Sequence, residues 1–315
     1  MLDAIFTAWC IVISSLSLKE MCYLTQTCKQ LLSYRKSVNS YGLITVVKKT
    51  NKFKNKFLIS INTIQTLVFT DSNIDDDILL ELPTLLNLKS LSFINCENLT
   101  NKGFKDISHK IFNLENLILQ TYPEKSITKH ISKLKKIKQL HIINININFI
   151  DCVIFKLKFK LLNDFCMTSK LADNCLSCIS SIKSLQKLSV DNCQEFIGYS
   201  LISVSKLTNL KELYLSQSIL EVKMVYIKTL INLKSLKILN LVNSYSLNMK
   251  TVIFLLENLD LNILDIRGTI ASSVKITNKE ISKKYTIIDS YNSYPFLETS
   301  EIYKLYNKPK KVIFY

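Results

Sequence analysis

Cys175 and Cys178 form a C-x-x-C pair, the spacing at which two thiolates can grip one zinc ion. A structural zinc needs four ligands, and neither a second pair nor a nearby histidine supplies them, so these read as ordinary buried or corner cysteines. His109, His130 and His141 are scattered along the chain, and none is paired in sequence with a nucleophile or with an oxyanion signature. Asp75, Asp76 and Asp77 look like a metal cluster until the apolar run that follows them is noticed. Carboxylates just ahead of ILLELPTLL suit the positive end of a helix dipole, and capping is the expectation. Phosphate-cradling loops need glycine, and the chain has 4 glycines and neither GxxxxGK nor GxGxxG. The sequence therefore predicts no catalytic residue, no cofactor and no metal: a protein that is not an enzyme.

Composition narrows the remaining classes. With 48% hydrophobic residues in 315, disorder is excluded, because enough apolar surface exists to offset chain entropy. The formal net charge of +16 raises a nucleic-acid reading. Only Arg35 and Arg267 are arginines, and lysine lacks the planar fork that reads bases and phosphates, so nucleic acid is argued against. The Ile-, Asn- and Lys-rich text resembles the product of an A+T-rich genome, as of a large DNA virus or a protist, and that composition is the expected source of the charge. The 9 cysteines, an odd number without regular spacing, fit a reducing compartment. Residues 4–18 carry no charge, but only Asp3 precedes them as a charge and fifteen residues fall short of the ~20 a span needs. The expectation is a cytoplasmic or nuclear protein, not secreted and with no membrane partner.

What could position any functional residue is a repeat. An L-x-x-L-x-L frame begins at Leu88 (LKSLSF) and recurs as IQTLVF from Ile64, LENLIL from Leu114, IKQLHI from Ile137 and LNDFCM from Leu162. It continues as LQKLSV from Leu185, LKELYL from Leu210, LKILNL from Leu236 and LNILDI from Leu261, with starts 23 to 26 residues apart. Near residue 160 a second frame, IFKLKF from Ile154, competes with Leu162; only Leu162 keeps the spacing. Side chains alternate along a strand, so the fourth and sixth frame residues point to one side, into a shared core. The next ~15 residues return along the outer side, in places with helical apolar spacing, as in ITKHISKLKKI and LISVSKLTNL. The predicted fold is α/β: a leucine-rich-repeat solenoid over 63–285 with about nine repeats, a curved parallel sheet and helices on its convex side. Past 270 the frame is lost, KKYTIIDSYN offers one last irregular strand, and 286–315 reads as a C-terminal cap or tail.

Two units place cysteine at the ninth repeat position, Cys96 and Cys193, where the chain turns out of the strand and a small buried side chain is wanted. With Leu99, Thr100, Asn101 and Gly103 the first unit resembles the cysteine-containing class of leucine-rich repeats. The second departs from it at Phe196, and other units carry Ser72, Ser218 or Ser244 at the corner.

Residues 14–32 (SSLSLKEMCYLTQTCKQLL) form an amphipathic helical stretch. The order Leu16, Lys19, Glu20, Met21, Leu24, Thr27, Cys28, Lys29 resembles the middle of the F-box, a motif of roughly 40 residues and three helices, with Ile5, Trp9 and Ile13 preceding it on a first helix. The family usually opens on Leu-Pro and an acidic residue; here Ala4, Ile5 and Phe6 stand instead, so the F-box is degenerate. The bland counterpart is a helical cap on the open end of the array. An F-box followed by cysteine-containing repeats is the layout of substrate-recruiting ubiquitin ligase subunits. The resemblance implies that residues 1–38 bind a Skp adaptor through Ile5, Trp9, Ile13, Leu16, Met21 and Leu24. Residues 39–62, with Lys48, Lys49, Lys52, Lys54 and Lys56, read as a lysine-rich linker.

The frame also predicts the binding face. The third, fifth and seventh residues of each strand point away from the core onto the concave sheet. The partner candidates among them are Ser92, Ile94, Ile118, His141, Ile143, Lys187, Glu212, Tyr214, Asn240, Asp265 and Arg267. All 27 such positions together hold two cations and four anions, so this face avoids the lysines that dominate the chain. The expected role is a protein-interaction module serving as the substrate-recognition subunit of an SCF-type ubiquitin ligase. The alternative is a stand-alone repeat scaffold that sequesters a protein without any ubiquitin role.

Overall fold

The computed structural model describes residues 43–47, 64–70, 74–82, 84–120, 128–145, 147–168, 173–190, 198–216, 223–244, 247–269, 286–289 and 311–314. The F-box-like segment 1–38, with Ile5, Trp9, Ile13, Leu16, Met21 and Leu24, lies outside the described residues, as do residues 4–18. The chain divides into two compact units, residues 1–145 and 146–315.

In the first unit five parallel strands lie side by side in chain order: β1 (Leu43–Val47), β2 (Ile64–Thr70), β3 (Ser90–Ile94), β4 (Asn116–Gln120) and β5 (Gln139–Ile143). Their connections carry helices α1 (Asp76–Glu81), α2 (Asn101–Ser108) and α3 (Thr128–Ile131). The strand β1 lies within the stretch expected as a linker; it is a β-branched run, LITVV, with no leucine frame to announce it. Register follows the repeat: Ser92 pairs Ile118 and Ile118 pairs His141, each the fifth residue of its frame.

The second unit repeats the scheme with β6 (Asp164–Thr168), β7 (Lys187–Val190), β8 (Glu212–Tyr214), β9 (Ile238–Asn240) and β10 (Ile263–Asp265). Helix α4 (Phe149–Lys158) precedes β6, and α5 (Asp173–Ile179), α6 (Leu201–Val204), α7 (Met224–Lys228) and α8 (Met249–Asn258) fill the connections between strands. The rival frame from Ile154 falls inside α4, and Asp164–Thr168 is the strand, so Leu162 sets the register. Two further strands end the unit, β11 (Thr286–Asp289) and β12 (Lys311–Phe314), in the spatial order β10, β12, β11, all parallel. The last irregular strand expected in KKYTIIDSYN is β11. The strand KVIF, which no motif announced, pairs directly with β10.

The core is the stack of frame leucines. Leu67, Leu91, Leu117 and Leu140 at the fourth position are fully buried, as are Phe69, Phe93, Leu119 and Ile142 at the sixth. Each such side chain contributes about 1.5–3 kcal/mol. The Phe69 and Phe93 rings stack at 5.3 Å between centroids, and Phe104 of α2 meets Phe93 edge-on at 5.2 Å. That contact places the helices on the side of the fourth and sixth residues. In the second unit Phe155 of α4 packs on Phe165 of β6 at 5.8 Å in the same sense.

Four of the strands end in the same device. The eighth frame residue adopts positive φ wherever it is described: Asn95 (53°), Asn144 (58°), Asn243 (57°) and Gly268 (67°). Asn and Gly are the residues that enter this region at least cost. The turn delivers the ninth residue inward, and Cys96 is buried there with its thiol directed at the Ile94 and Phe69 carbonyls, 3.5 and 3.7 Å away.

Three helix starts are capped by local side chains, whereas Ser200 and Lys223 make no such bond at the starts of α6 and α7. Thr100 accepts from the Lys102 amide at 3.1 Å, and Asn248 accepts from Thr251 at 3.0 Å. Asn148 and Asp151 exchange a reciprocal capping box, both bonds at 3.0 Å.

Candidate functional site: the inner face of the sheet

The third, fifth and seventh frame residues face away from the helices, on what we term the inner face. Across β2 to β5 of the first unit, among the described residues, this surface has no charged side chain. Its third positions are Thr66, Ser90, Asn116 and Gln139; the fifth are Val68, Ser92, Ile118 and His141; the seventh are Thr70, Ile94, Gln120 and Ile143. Ile94, Ile118, His141 and Ile143 are half-buried, and Ser92 is buried. Ile118 stands between Ser92 and His141 across two strand pairings, and Ile94 lies one strand from Gln120 and two from Ile143. The result is an apolar and amide surface that can desolvate without stranding a charge.

The described cations of this unit sit elsewhere. Glu115, at the second frame position, is bracketed by the lysines of its two neighbouring repeats: Lys89 at 2.8 Å and Lys138 at 2.7 Å. Hydrogen bonds from Lys138 and Lys89 hold its carboxyl down at about 2. Lys110 reaches back one repeat to the end of α1, donating to the carbonyls of Leu80 and of Leu82, the latter at 2.6 Å, where a cation meets the negative end of the helix dipole. Partial burial lowers the Lys110 pKa.

The inner face of the second unit is charged, and four of its charges pair within it. Lys187 lies 3.5 Å from Glu212 and 5.4 Å from the centre of the Tyr214 ring, and the Tyr214 hydroxyl donates to Glu212 at 3.1 Å. Arg267 forks onto Asp265, with Nη2 donating at 2.7 Å and Nε at 2.9 Å. Ser216 donates to the Asn240 side chain at 2.7 Å. Each candidate thus occupies the position its frame assigns. Exposure differs from the expectation of an open face: Glu212, Tyr214, Asn240 and Asp265 are buried, and Lys187 and Arg267 are half-buried. Sequence alternation says which way a side chain points; what lies over it is set by distant parts of the chain.

Groups that might have carried chemistry are accounted for structurally. Among the described residues no cluster of three or more His, Cys, Asp or Glu is arranged to hold a metal ion. Cys175 is buried and Cys178 half-buried on α5. A hydrogen bond with the Cys175 thiol, together with burial, pushes the Cys152 thiol well above its ordinary range, so it stays protonated and a poor nucleophile. His109 follows α2, with Nε2 at 3.0 Å from Lys133 Nζ; His130 lies on α3, where burial lowers its pKa; His141 lies on β5. Asp76 and Asp77 open α1, as the helix-dipole reading expects, but the Asp76 carboxylate serves the next repeat: it accepts from the Thr100 amide at 2.8 Å and from the Thr100 hydroxyl. Among the described residues no helix is long and apolar enough to cross a membrane.

No protein-family profile matches the chain, and no curated protein matches it. Solved structures that are similar to it include an internalin (inlF) of Listeria monocytogenes, at 17% identity and TM-score 0.47, covering 65% of this chain and 55% of that one. An internalin C2 (inlC2) of the same species is 18% identical with TM-score 0.38, covering 60% of this chain and 75% of that one. InlP of Listeria monocytogenes is 15% identical with TM-score 0.40, covering 67% and 64%. The chain spans just over half the length of the first of these. Its fold class rests on its own strand registers.

Proposed function

We propose that this protein is an interaction module that holds a partner protein against the inner face of its first unit. The observation that supports this is the absence of charge from all twelve inner positions of β2 to β5, in a chain of net charge +16. A nucleic-acid groove would gather lysines there; a protein interface core wants apolar and amide side chains. Ile94, Ile118 and Ile143, with Ser92 and His141 between them, form the anchor of that surface.

The F-box-like order of residues 5–35 supports a finer reading: a substrate-recognition subunit of a Skp–cullin–F-box ubiquitin ligase, working in the cytoplasm or nucleus. The N-terminal residues dock the Skp adaptor, the repeats position a target, and partner subunits supply the ubiquitin transfer. The test is a pull-down of purified Skp adaptor by the full chain, beside a Leu16→Asp, Leu24→Asp variant. Capture that the two substitutions abolish supports the ligase role. No capture by the unaltered chain removes it and leaves a stand-alone scaffold that sequesters its partner.

A further inference from the structure

A helix on the outer side of a solenoid buries one stripe against the sheet and gives the opposite stripe to water, so that outer stripe should be polar. Helix α2 obeys this, with Lys102 and Lys105 exposed and Phe104 and Ile107 buried. On α8 the half-buried Phe254 is covered, since the Lys228 ammonium lies over its ring at 5.0 Å. Helix α4 breaks the rule. Its Asp151, Cys152 and Phe155 are buried, and the residues on the opposite side are apolar as well. Ile150 is 68% exposed and Leu157 55%, with Ile154 half-buried between them. Steps of four and then three residues keep these on one stripe. Phe149 at the helix start and Leu161 in the turn that follows are also exposed. Among the described residues no other helix carries more than one large apolar side chain this open.

The charges around the stripe are of one sign. Lys156 and Lys158 fall on its two flanks, and Lys160 follows, its ammonium donating to the Lys156 carbonyl at 3.3 Å. All three are exposed, and among the described residues none of them forms an ion pair. The nearby carboxylates are turned inward: Asp151 and Asp164 are buried, and Asp151 is committed to its capping box.

Charge and size decide what such a stripe can take. A second copy would set lysine against lysine, which argues against self-association. A stable protein interface takes about 20–30 residues a side, far more than this stripe and its lysines supply. An anionic lipid surface needs neither a pocket nor a large area. A few aliphatic side chains enter the acyl boundary while flanking lysines keep their ammonium groups among the phosphates.

We propose that the outer stripe of α4 is a membrane-contact site for an anionic bilayer surface, with Ile150, Ile154 and Leu157 inserted and Lys156, Lys158 and Lys160 at the headgroups. Contact of this kind lies in the plane of the interface and needs no spanning helix. It departs from the sequence-based expectation of no membrane partner, which weighed spanning segments alone. The stripe lies on the helix side of the sheet, so the proposal is independent of any partner on the inner face.

The test is co-sedimentation of the full chain with vesicles of phosphatidylcholine alone and of phosphatidylcholine with about one third phosphatidylserine. The chain should sediment with the second and stay in solution with the first. Ile150→Ser with Leu157→Ser should weaken binding ~10-fold or more and leave the thermal melt unchanged, since both side chains are already exposed. Lys156→Glu with Lys158→Glu and Lys160→Glu should weaken it similarly. Insertion is read separately by combining Trp9→Phe with Ile150→Trp, which leaves one tryptophan, on the stripe. Its emission should move to the blue on the anionic vesicles and be quenched by lipid brominated in the acyl chain. No sedimentation with the anionic vesicles overturns the proposal. Binding that survives Ile150→Ser with Leu157→Ser, or emission that does not move, also overturns it, because a chain of net charge +16 would then be adhering through its lysines at large.

Discussion

The Thr100 amide donates to the Asp76 carboxylate at 2.8 Å across 24 residues, one full repeat. The same carboxylate takes the Thr100 hydroxyl, and a Cβ built on Gly103 would run into its Oδ1 and stand 3.1 Å from Leu79 Cδ1. One aspartate therefore joins the start of α1 to the start of α2 and requires glycine opposite.

Gly103→Ala should destabilise the protein by about 1–3 kcal/mol, because overpacking outweighs the ~1 kcal/mol that alanine gains in a helix. In an Asp76→Ala background the same change should cost distinctly less, since the obstructing oxygen is gone. Urea titrations of the four members of the cycle measure the coupling. Additive effects would mean that Asp76 and Gly103 do not constrain each other.

The strand-end turns make a second prediction. Asn243 has φ of 57°, and Asn243→Gly should be tolerated, whereas Asn243→Val should cost about 1–2 kcal/mol. Gly268→Ala should be worse than the conformational penalty alone, because its Cβ meets the Asn243 side chain. Thermal melts of the three variants rank them.

Glu115 carries the pH dependence that can be worked out with its sign. Lys138 and Lys89 hold its folded pKa at about 2, below the ordinary 4.5, so the folded state binds its proton less readily than the unfolded chain. The stabilisation is present in full above about pH 4.5 and is lost as pH falls towards 2. A Glu115→Gln variant should melt below the parent at pH 7, and the two should converge near pH 2. Added salt should shrink the gap at pH 7, since both lysines are largely exposed. A gap that widens on acidification contradicts the assignment.

The Arg267 fork on buried Asp265 is a different case. Removing the guanidinium strands a carboxylate, so Arg267→Ala should cost about 3–5 kcal/mol, while Arg267→Met with Asp265→Leu should recover most of it. Chemical denaturation of both variants checks the ranking.

Much of this architecture is legible in the sequence because the frame is local. Period-two alternation and spacing of 23 to 26 residues suffice to pair Ser92 with Ile118 and Asp164 with Lys187. They also decide between Leu162 and Ile154. What escaped is long-range. Nothing in KVIF says that it will lie beside Ile263–Asp265, nor in LITVV that it will pair with β2, because partner choice without a frame depends on the assembled sheet. Asp76 was legible as a helix-opening acid, but its partner in the next repeat was not. The helical returns in ITKHISKLKKI and LISVSKLTNL shrink to four residues each, Thr128–Ile131 and Leu201–Val204, since packing rather than periodicity sets helix length. For the binding surface, the orientation of Tyr214 and Asp265 was readable and their burial was not.

The central claim is that the uncharged inner face of the first unit is the partner surface. Its most direct test is quantitative affinity purification from the native cell, comparing the unaltered chain with Ile118→Glu and with Lys89→Glu, each first shown to melt normally. We predict a protein partner whose recovery falls ~10-fold or more with Ile118→Glu, the loss expected from burying one unpaired charge at an interface core, and is unchanged by Lys89→Glu. Recovery indifferent to Ile118→Glu, or lost with Lys89→Glu and with added salt, would move the binding surface to the lysine-rich edge and contradict the account.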